Sequence, residues 1–343
     1  DFQAKSWLKV GGNFNYSHGT TNQMSSEGSS TSTLNIFAFT NGVAPIYPIY
    51  LRDGNKQPMY DNNGLLMYDY GNGMNAGLQR PSYADSNAIS AATLNTNKAS
   101  YNSLYASGFA EIRFLKDFKF TSNNTVNLLE TRSTSIQNPF YGQAQPDGGN
   151  IYKAHARTTS YTYNQLLNWN RMFNQHNVQI LLGHEWYKEV TEGLEGQRKN
   201  LFLPSNEELA GAILKDDTSS SSSTYNNEGW FGRAQYDFAS KYFGSVSFRR
   251  DASSRFHPKH RWGSFWSIGG AWILSKEEFF NVDWVDLLKV KVSYGEQGND
   301  NIGNFRYTDT YNLINSAGMP SATAATKGNE TITWEKGGNF NAG

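Results

Sequence analysis

The sequence predicts an all-β fold, an antiparallel up-and-down sheet of the kind that closes into a transmembrane barrel. Three observations predict it. The first is a period of two: Phe118, Phe120, Val126 and Leu128 alternate with Lys119, Thr121, Asn123, Thr125 and Asn127. Tyr161, Tyr163, Leu167 and Trp169 alternate likewise with Thr162, Asn164 and Asn168, and Tyr242, Val246 and Phe248 with Ser245, Ser247 and Arg249. Successive strand residues point to opposite faces, so each segment has one aromatic-aliphatic face and one polar face. The second is composition. Of 343 residues 15% are aromatic, with 20 Tyr, 21 Phe and 9 Trp, yet the mean hydropathy is negative. A membrane barrel combines these properties, because only every second residue meets lipid and its rims carry aromatic girdles. The third is a regular alternation of short and long connections.

In chain order, a strand over 5–17 leads into the long segment 18–102, which carries the turn signals Asp53-Gly54 and Asn63-Gly64. Strands 103–114 and 118–133 are joined by the tight link 115–117. The segment 134–154, with Asp147-Gly148-Gly149, separates them from strands 155–169 and 176–189, joined by 170–175. Segment 190–224 reads as a long loop. Its serine run Ser219 to Ser223 is expected to be mobile, and Ser205-Asn206-Glu207-Glu208 has the form of a capping box opening a short helix through Leu214. Strands 225–238 and 242–250 flank 239–241; loop 251–261 precedes strand 262–274. Link 275–286 is modest, and Ser275-Lys276-Glu277-Glu278 is expected to start a helical turn in it. Strand 287–295, segment 296–329 and strand 330–343 complete ten predicted strands. The alternation places every long loop at one end of the sheet, as in outer-membrane barrels, whereas Greek-key sandwiches mix the lengths.

Composition excludes several function classes. With 30 basic and 30 acidic residues, no net field recruits nucleic acid or anionic lipid. Without cysteine there is no disulfide scaffold and no thiolate metal site. No apolar run reaches the 18 or more residues of a membrane helix. Asp1 opens no signal peptide and a strand-like segment runs into Gly343, so both termini are expected to lie inside a longer protein.

No catalytic constellation emerges, and no cofactor or metal is expected. Glu207/Glu208, Asp216/Asp217 and Glu277/Glu278 are adjacent carboxylates, whereas a glycosidase holds its pair ~5–10 Å apart across the sugar. His257-Pro258-Lys259-His260 lacks a third metal ligand nearby. Gly71-Asn72-Gly73 lacks the third glycine and the helix of a dinucleotide loop. The long loops do gather rings and amides: Tyr47, Tyr50, Tyr60, Tyr68, Tyr70, Tyr83 and Tyr141, with Asn62, Asn72 and Asn150. Rings that stack and amides that both donate and accept suit a sugar or a peptide. The competing reading is that they pack the loops against one another. Arg233, Asp237 and Arg249 share the polar phase with Gln235 and Ser247 and are expected to face the lumen, since a cation on the lipid face near the midplane costs about 2–4 kcal/mol.

From Trp230 to Tyr307 the sequence resembles the SusC/RagA-type TonB-dependent transporters of the Bacteroidetes outer membrane. The resemblance rests on an ordered series. Gly232-Arg233-Ala234-Gln235-Tyr236 and Lys241-Tyr242 precede Phe248-Arg249-Arg250-Asp251-Ala252-Ser253-Ser254-Arg255-Phe256. Arg261-Trp262-Gly263-Ser264-Phe265-Trp266-Ser267, Ala271-Trp272 and Ser275 to Phe279 follow. Leu288-Lys289-Val290-Lys291-Val292-Ser293-Tyr294-Gly295, then Gln297-Gly298-Asn299, and later Ile332-Thr333-Trp334-Glu335-Lys336 extend it. Ala252 stands where the family usually has glycine, and Trp266 where proline is common, so the turn after Arg250 is expected to do without the freer residue. The resemblance implies that residues 1–343 are about ten strands of a 22-stranded outer-membrane barrel embedded in lipid. It also implies an N-terminal plug reached by TonB and a SusD-like surface lipoprotein lid, both outside these residues. The implied activity is import of oligosaccharide or other nutrient, some members taking peptides; the loop tyrosines lean to glycans. A soluble β-rich glycan-binding module is the alternative.

Overall fold

The computed structural model describes residues 1–22, 36–75, 77, 79–84, 86–142 and 144–343. Eleven strands form one antiparallel sheet in which nearly every strand pairs with its neighbour in sequence. The first ten are β1 (Phe2–Lys5), β2 (Leu8–Asn22), β3 (Thr96–Phe114), β4 (Phe118–Gln137), β5 (Asn150–Phe173), β6 (His176–Leu201), β7 (Ala212–Phe238), β8 (Tyr242–Ser253), β9 (Trp262–Ile273) and β10 (Lys289–Asn299). A separate hairpin, β11 (Thr310–Ser316) with β12 (Met319–Thr326), stands apart before β13 (Glu335–Ala342) returns to pair with β10. The sheet is open, with β1 and β13 at its edges.

The predicted alternation of short and long connections holds only in part: 274–288, on the short side, is longer than 138–149, 202–211 and 254–261 on the other, because the strands reach much farther toward the long-loop end. Residues 190–224 are not one loop. β6 and β7 stay paired from Phe238 opposite His176 to Ala212 opposite Leu201, and Ser219 to Ser223 lie within the ladder facing Glu195 to Thr191. The serine run is strand, because a ladder standing in water on both faces needs hydrogen bonds and not an apolar side. The capping box does not form: Asn206 Oδ1 accepts the Glu208 N–H at 3.0 Å, and only a 3-10 turn, Leu209–Gly211, precedes β7. Leu214 is therefore on β7. Likewise Ser275 sits inside a 3-10 turn, Leu274–Lys276, instead of capping it. The expected loop 296–329 contains the β11–β12 hairpin. The strand predicted over 5–17 is the β1–β2 pair, broken at residues 6–7. Ala252 continues β8 without positive φ, so no turn there calls for glycine.

The segment between β2 and β3 carries structure that the sequence reading did not foresee: helices α1 (Ile36–Gly42) and α2 (Ala88–Leu94). Between them, isolated bridges pair Tyr50 with Tyr68, Arg52 with Pro58, Tyr60 with Leu66 and Asn72 with Gln79. At the same end of the sheet Ile136, Ile151, Leu201 and Ala212 form a small buried cluster with Leu209.

Candidate functional site

Register fixes which side chains share a face. Phe118 lies opposite Trp169, Phe120 opposite Leu167, and Leu167 opposite Leu182; Gly232 then faces Phe248. The apolar phases of all three alternating segments thus form one surface, and Leu182, Phe248, Val246 and Ile268 on it are each about half exposed. Two aromatic rows bound this surface. The lower runs in register through Phe173, His176, Phe238, Tyr242 and Trp272, with rings 6.2 Å apart at Phe238–Tyr242 and 6.1 Å at Tyr242–Trp272. The upper runs through Tyr163, Trp186, Glu228, Ala252 and Trp262, with Tyr163 and Trp186 5.4 Å apart. Tyr163 stands ten residues from Phe173, Trp186 ten from His176 and Trp262 ten from Trp272. At ~3.3 Å per residue on strands tilted ~40°, ten residues span roughly 25 Å, the height of an outer-membrane barrel's apolar band.

The opposite face is polar. Two adjoining depressions of about 690 and 640 Å³ share Ser245, Gly269, Ser293 and Asn341 and make one trough. Arg233, Asp237 and Arg249 all lie on this side, in phase with Gln235 and Ser247. Asp237 accepts a hydrogen bond from Asn177 Nδ2 at 2.7 Å. Arg249 Nε donates to both Asp251 oxygens at 2.7 and 2.8 Å, its Nη2 donates to Glu185 Oε1 at 3.1 Å, and its guanidinium lies over Phe231. Higher on the same face Asp300 Oδ2 accepts from Tyr225 Oη at 2.7 Å and Ser253 Oγ at 2.6 Å, while Arg255 covers the Tyr225 ring and donates to the Asp300 carbonyl at 3.2 Å. These bonds clip the segment after β10 to the wall. Sequence reasoning missed Glu185, Asp251, Tyr225 and Asp300. The phase of Glu185 and Tyr225 on their strands could have shown their face, but nothing local marks Asp300 as a partner.

The loop tyrosines divide by environment. Tyr50, Tyr68, Tyr141 and Tyr70 form a continuous ring cluster, with centroids 5.1, 5.9 and 5.8 Å apart along that order. Tyr68 and Tyr70 are buried, and Tyr70 Oη shares a hydrogen bond with Ser90 Oγ. Burial holds the Tyr70 hydroxyl well above its ordinary range, opposed by the Ser90 hydrogen bond and reinforced by electrostatic repulsion from Tyr141 and Tyr68. Tyr141 donates to Asp61 Oδ2 at 3.1 Å, tying the 134–154 segment to the first long loop. Tyr83 packs edge-on against Phe39. Tyr60 and Asn72 are exposed, Tyr47 is half-buried, and Asn150 donates to Gln137 Oε1 at 2.9 Å. The organiser that the sequence reading overlooked is Asn87. Its Oδ1 caps α2 by accepting from Ile89 and Ser90 N–H, and its Nδ2 donates to the Ile49 and Asp69 carbonyls, each at 2.9 Å. An asparagine directly before Ala88-Ile89-Ser90-Ala91-Ala92 was a legible cap signal.

The adjacent carboxylates serve ion pairs. Glu207 meets Lys98, Glu208 meets Lys153 at 2.8 Å, Asp216 meets Lys199 at 3.5 Å and Glu277 meets Lys241 at 3.2 Å. His257 lies against Tyr307, and among the described residues no three His, Cys, Asp or Glu side chains converge on a possible metal position.

No family model matches the chain. Curated relatives do. Over 274 residues, 77% of the chain, it is 27% identical to TonB-dependent receptor P39 of Formosa agariphila, and over 315 residues, 84% of the chain, 26% identical to TonB-dependent receptor SusC of Bacteroides thetaiotaomicron. It spans 26% and 30% of their lengths. Among solved structures it is similar to the RagAB peptide transporter, with a TM-score of 0.78 at 22% identity over 99% of the chain and 36% of that chain. The open-open state of the RagAB peptide importer gives 0.75. Over most of its length the chain is similar to SusC/RagA-type TonB-dependent receptors. These receptors are bacterial outer-membrane transporters and not enzymes. The bounded apolar face has the height of an outer-membrane barrel's apolar band, and the polar trough lies on the face opposite it.

Proposed function

We propose that this segment forms part of the wall and the substrate-enclosing loops of an importer that brings a nutrient oligomer, oligosaccharide or peptide, across the outer membrane. One observation carries the reading: an eleven-stranded sheet of a TonB-dependent receptor has an uncovered apolar face on one side and a charged, hydrogen-bonding trough on the other. Residues 1–343 are part of the barrel domain, completed by further strands and a plug. TonB pulls on that plug, and a SusD-like lipoprotein closes over the long loops. A soluble glycan-binding module would bury the apolar face beneath a second sheet; among the described residues none packs there.

The loops supply the substrate contacts in this reading. Tyr47, Tyr50, Tyr60, Tyr83, Asn72 and Asn150 are the groups offered to ligand, with Tyr68, Tyr70 and Tyr141 acting as the packing that holds them. Their rings favour glycan, and the similarity to a peptide transporter favours peptide. Titration calorimetry on the full-length receptor with its lid lipoprotein, against panels of oligosaccharides and peptides, tests the reading. Glycan binding that falls on Tyr60→Ala fixes the glycan class. Binding of peptides alone overturns the glycan preference, and binding of neither overturns the proposal.

A further inference from the structure

Arg249 and Arg250 are neighbours in sequence and opposites in environment. Arg249 is neutralised on the inner face by Asp251 and Glu185. Arg250 points the other way, level with Trp230 and Ser264, with its guanidinium 5.1 Å from the centre of the Trp262 ring and no ion pair among the described residues. It stands two residues below the upper aromatic row, where a cation on the lipid side is tolerated if its head reaches the interface. A guanidinium keeps its charge at any physiological pH, and the described residues leave this one without a counter-charge. The nearest acid on this face, Glu228, is engaged by His184 Nε2 at 3.0 Å and by Trp230 Nε1 at 3.2 Å.

The second observation is shape. Arg250 lines the rim of a depression of about 1040 Å³ in the lipid face, floored by Gly232 and Ala234 and walled by Phe120, Leu182, Val246 and Phe248. Gly232 lies between Leu182 and Phe248 in register, so a residue without a side chain is flanked by tall ones. An apolar furrow ending in an unpaired cation complements an acyl chain that ends in an anion.

We propose that this depression binds one anionic phosphorylated membrane lipid, its acyl chain along Gly232 and Ala234 and its phosphate on Arg250. The inference rests on the outer-membrane placement and not on transport, so lipid retention and substrate binding are separate readouts. Full-length receptor is released from nanodiscs of equal parts phosphatidylglycerol and phosphatidylcholine, and retained lipid is counted by native mass spectrometry. The expected result is about tenfold enrichment of phosphatidylglycerol, the worth of one charge-assisted contact. Arg250→Gln abolishes the enrichment, Arg250→Lys retains part of it, and Ala234→Leu lowers total retained lipid. Heat-modifiable gel migration identifies the folded variants. Equal retention of both lipids by the wild type, or enrichment unchanged in Arg250→Gln, overturns the proposal. A lipid-free dimer, showing the face covered by a second copy, overturns it as well.

Discussion

Tyr141 and Asp61 join two loops through one hydrogen bond across eighty positions of sequence. The Asp61 carboxylate is held below its ordinary value of 3.8 first by the Leu65 N–H, which desolvation partly opposes, and then by lesser hydrogen bonds from Asn63 and Tyr141. A depressed carboxylate contributes its stabilisation in full above 3.8 and loses it as pH falls through the lower folded value. Tyr141, raised to about 12 by burial and by the neighbouring Asp61, behaves in the opposite sense. Its contribution is whole below the ordinary phenol value and disappears as pH climbs from 10 toward 12. Ultraviolet titration of the receptor should therefore show late-titrating phenols whose combined amplitude Tyr141→Phe lowers by one phenol, and loop protease resistance should weaken at both pH extremes. A late amplitude unchanged in the variant would contradict the contact. The sequence marked Tyr141 as a loop aromatic. It could not name Asp61, because a partner that distant is chosen by the fold.

At the level of the element, the turn at Ala239–Lys241 is built from two successive left-handed residues, Ala239 and Ser240, with φ of 53° and 51°, closed by Lys241 N–H on the Phe238 carbonyl at 2.9 Å. Each such residue costs about 1–2 kcal/mol when it carries a β-carbon and is neither Asn nor Asp. Ala239→Asn with Ser240→Gly should stabilise the hairpin by ~1–2 kcal/mol, read as a higher midpoint in denaturant unfolding from liposomes. The two faces predict a contrast. Val246→Arg, on the lipid side, should destabilise by ~2–4 kcal/mol, whereas Gln235→Arg in the trough should change stability by well under half that. Equal losses would refute the assignment of faces. Alternation of Phe118, Phe120, Tyr161, Tyr163, Val246 and Phe248 made the membrane portions of the strands legible. It failed above the upper aromatic row, since β6 and β7 there meet water on both sides and nothing selects apolar residues at every second position. Ser219 to Ser223 then looked like a loop.

For the whole molecule, an open sheet leaves the outer ladders of β1 and β13 unpaired. In lipid each unsatisfied backbone group costs several kcal/mol, so only a closed barrel is viable. The isolated 343-residue chain is expected to elute in detergent as heterogeneous oligomers; a closed, folded monomer would contradict this. The end of the sheet that carries the longest segments, 23–95 and 300–334, was readable from connection lengths, whereas 274–288 at the other end is not set apart by its length. The inner-face contact of Glu185 with the Arg249–Asp251 pair was not readable, because it joins strands β6 and β8 that are not neighbours in the sheet. The ten-residue spacing of the aromatic rows also sets a timetable for isotopes. Deuterium entering the assembled receptor from outside will label β6 and β7 from their tips, where ladder amides open into water. It should slow abruptly near Trp186 and Glu228, so the bilayer surface becomes visible as a step in exchange rate along a single uninterrupted hairpin.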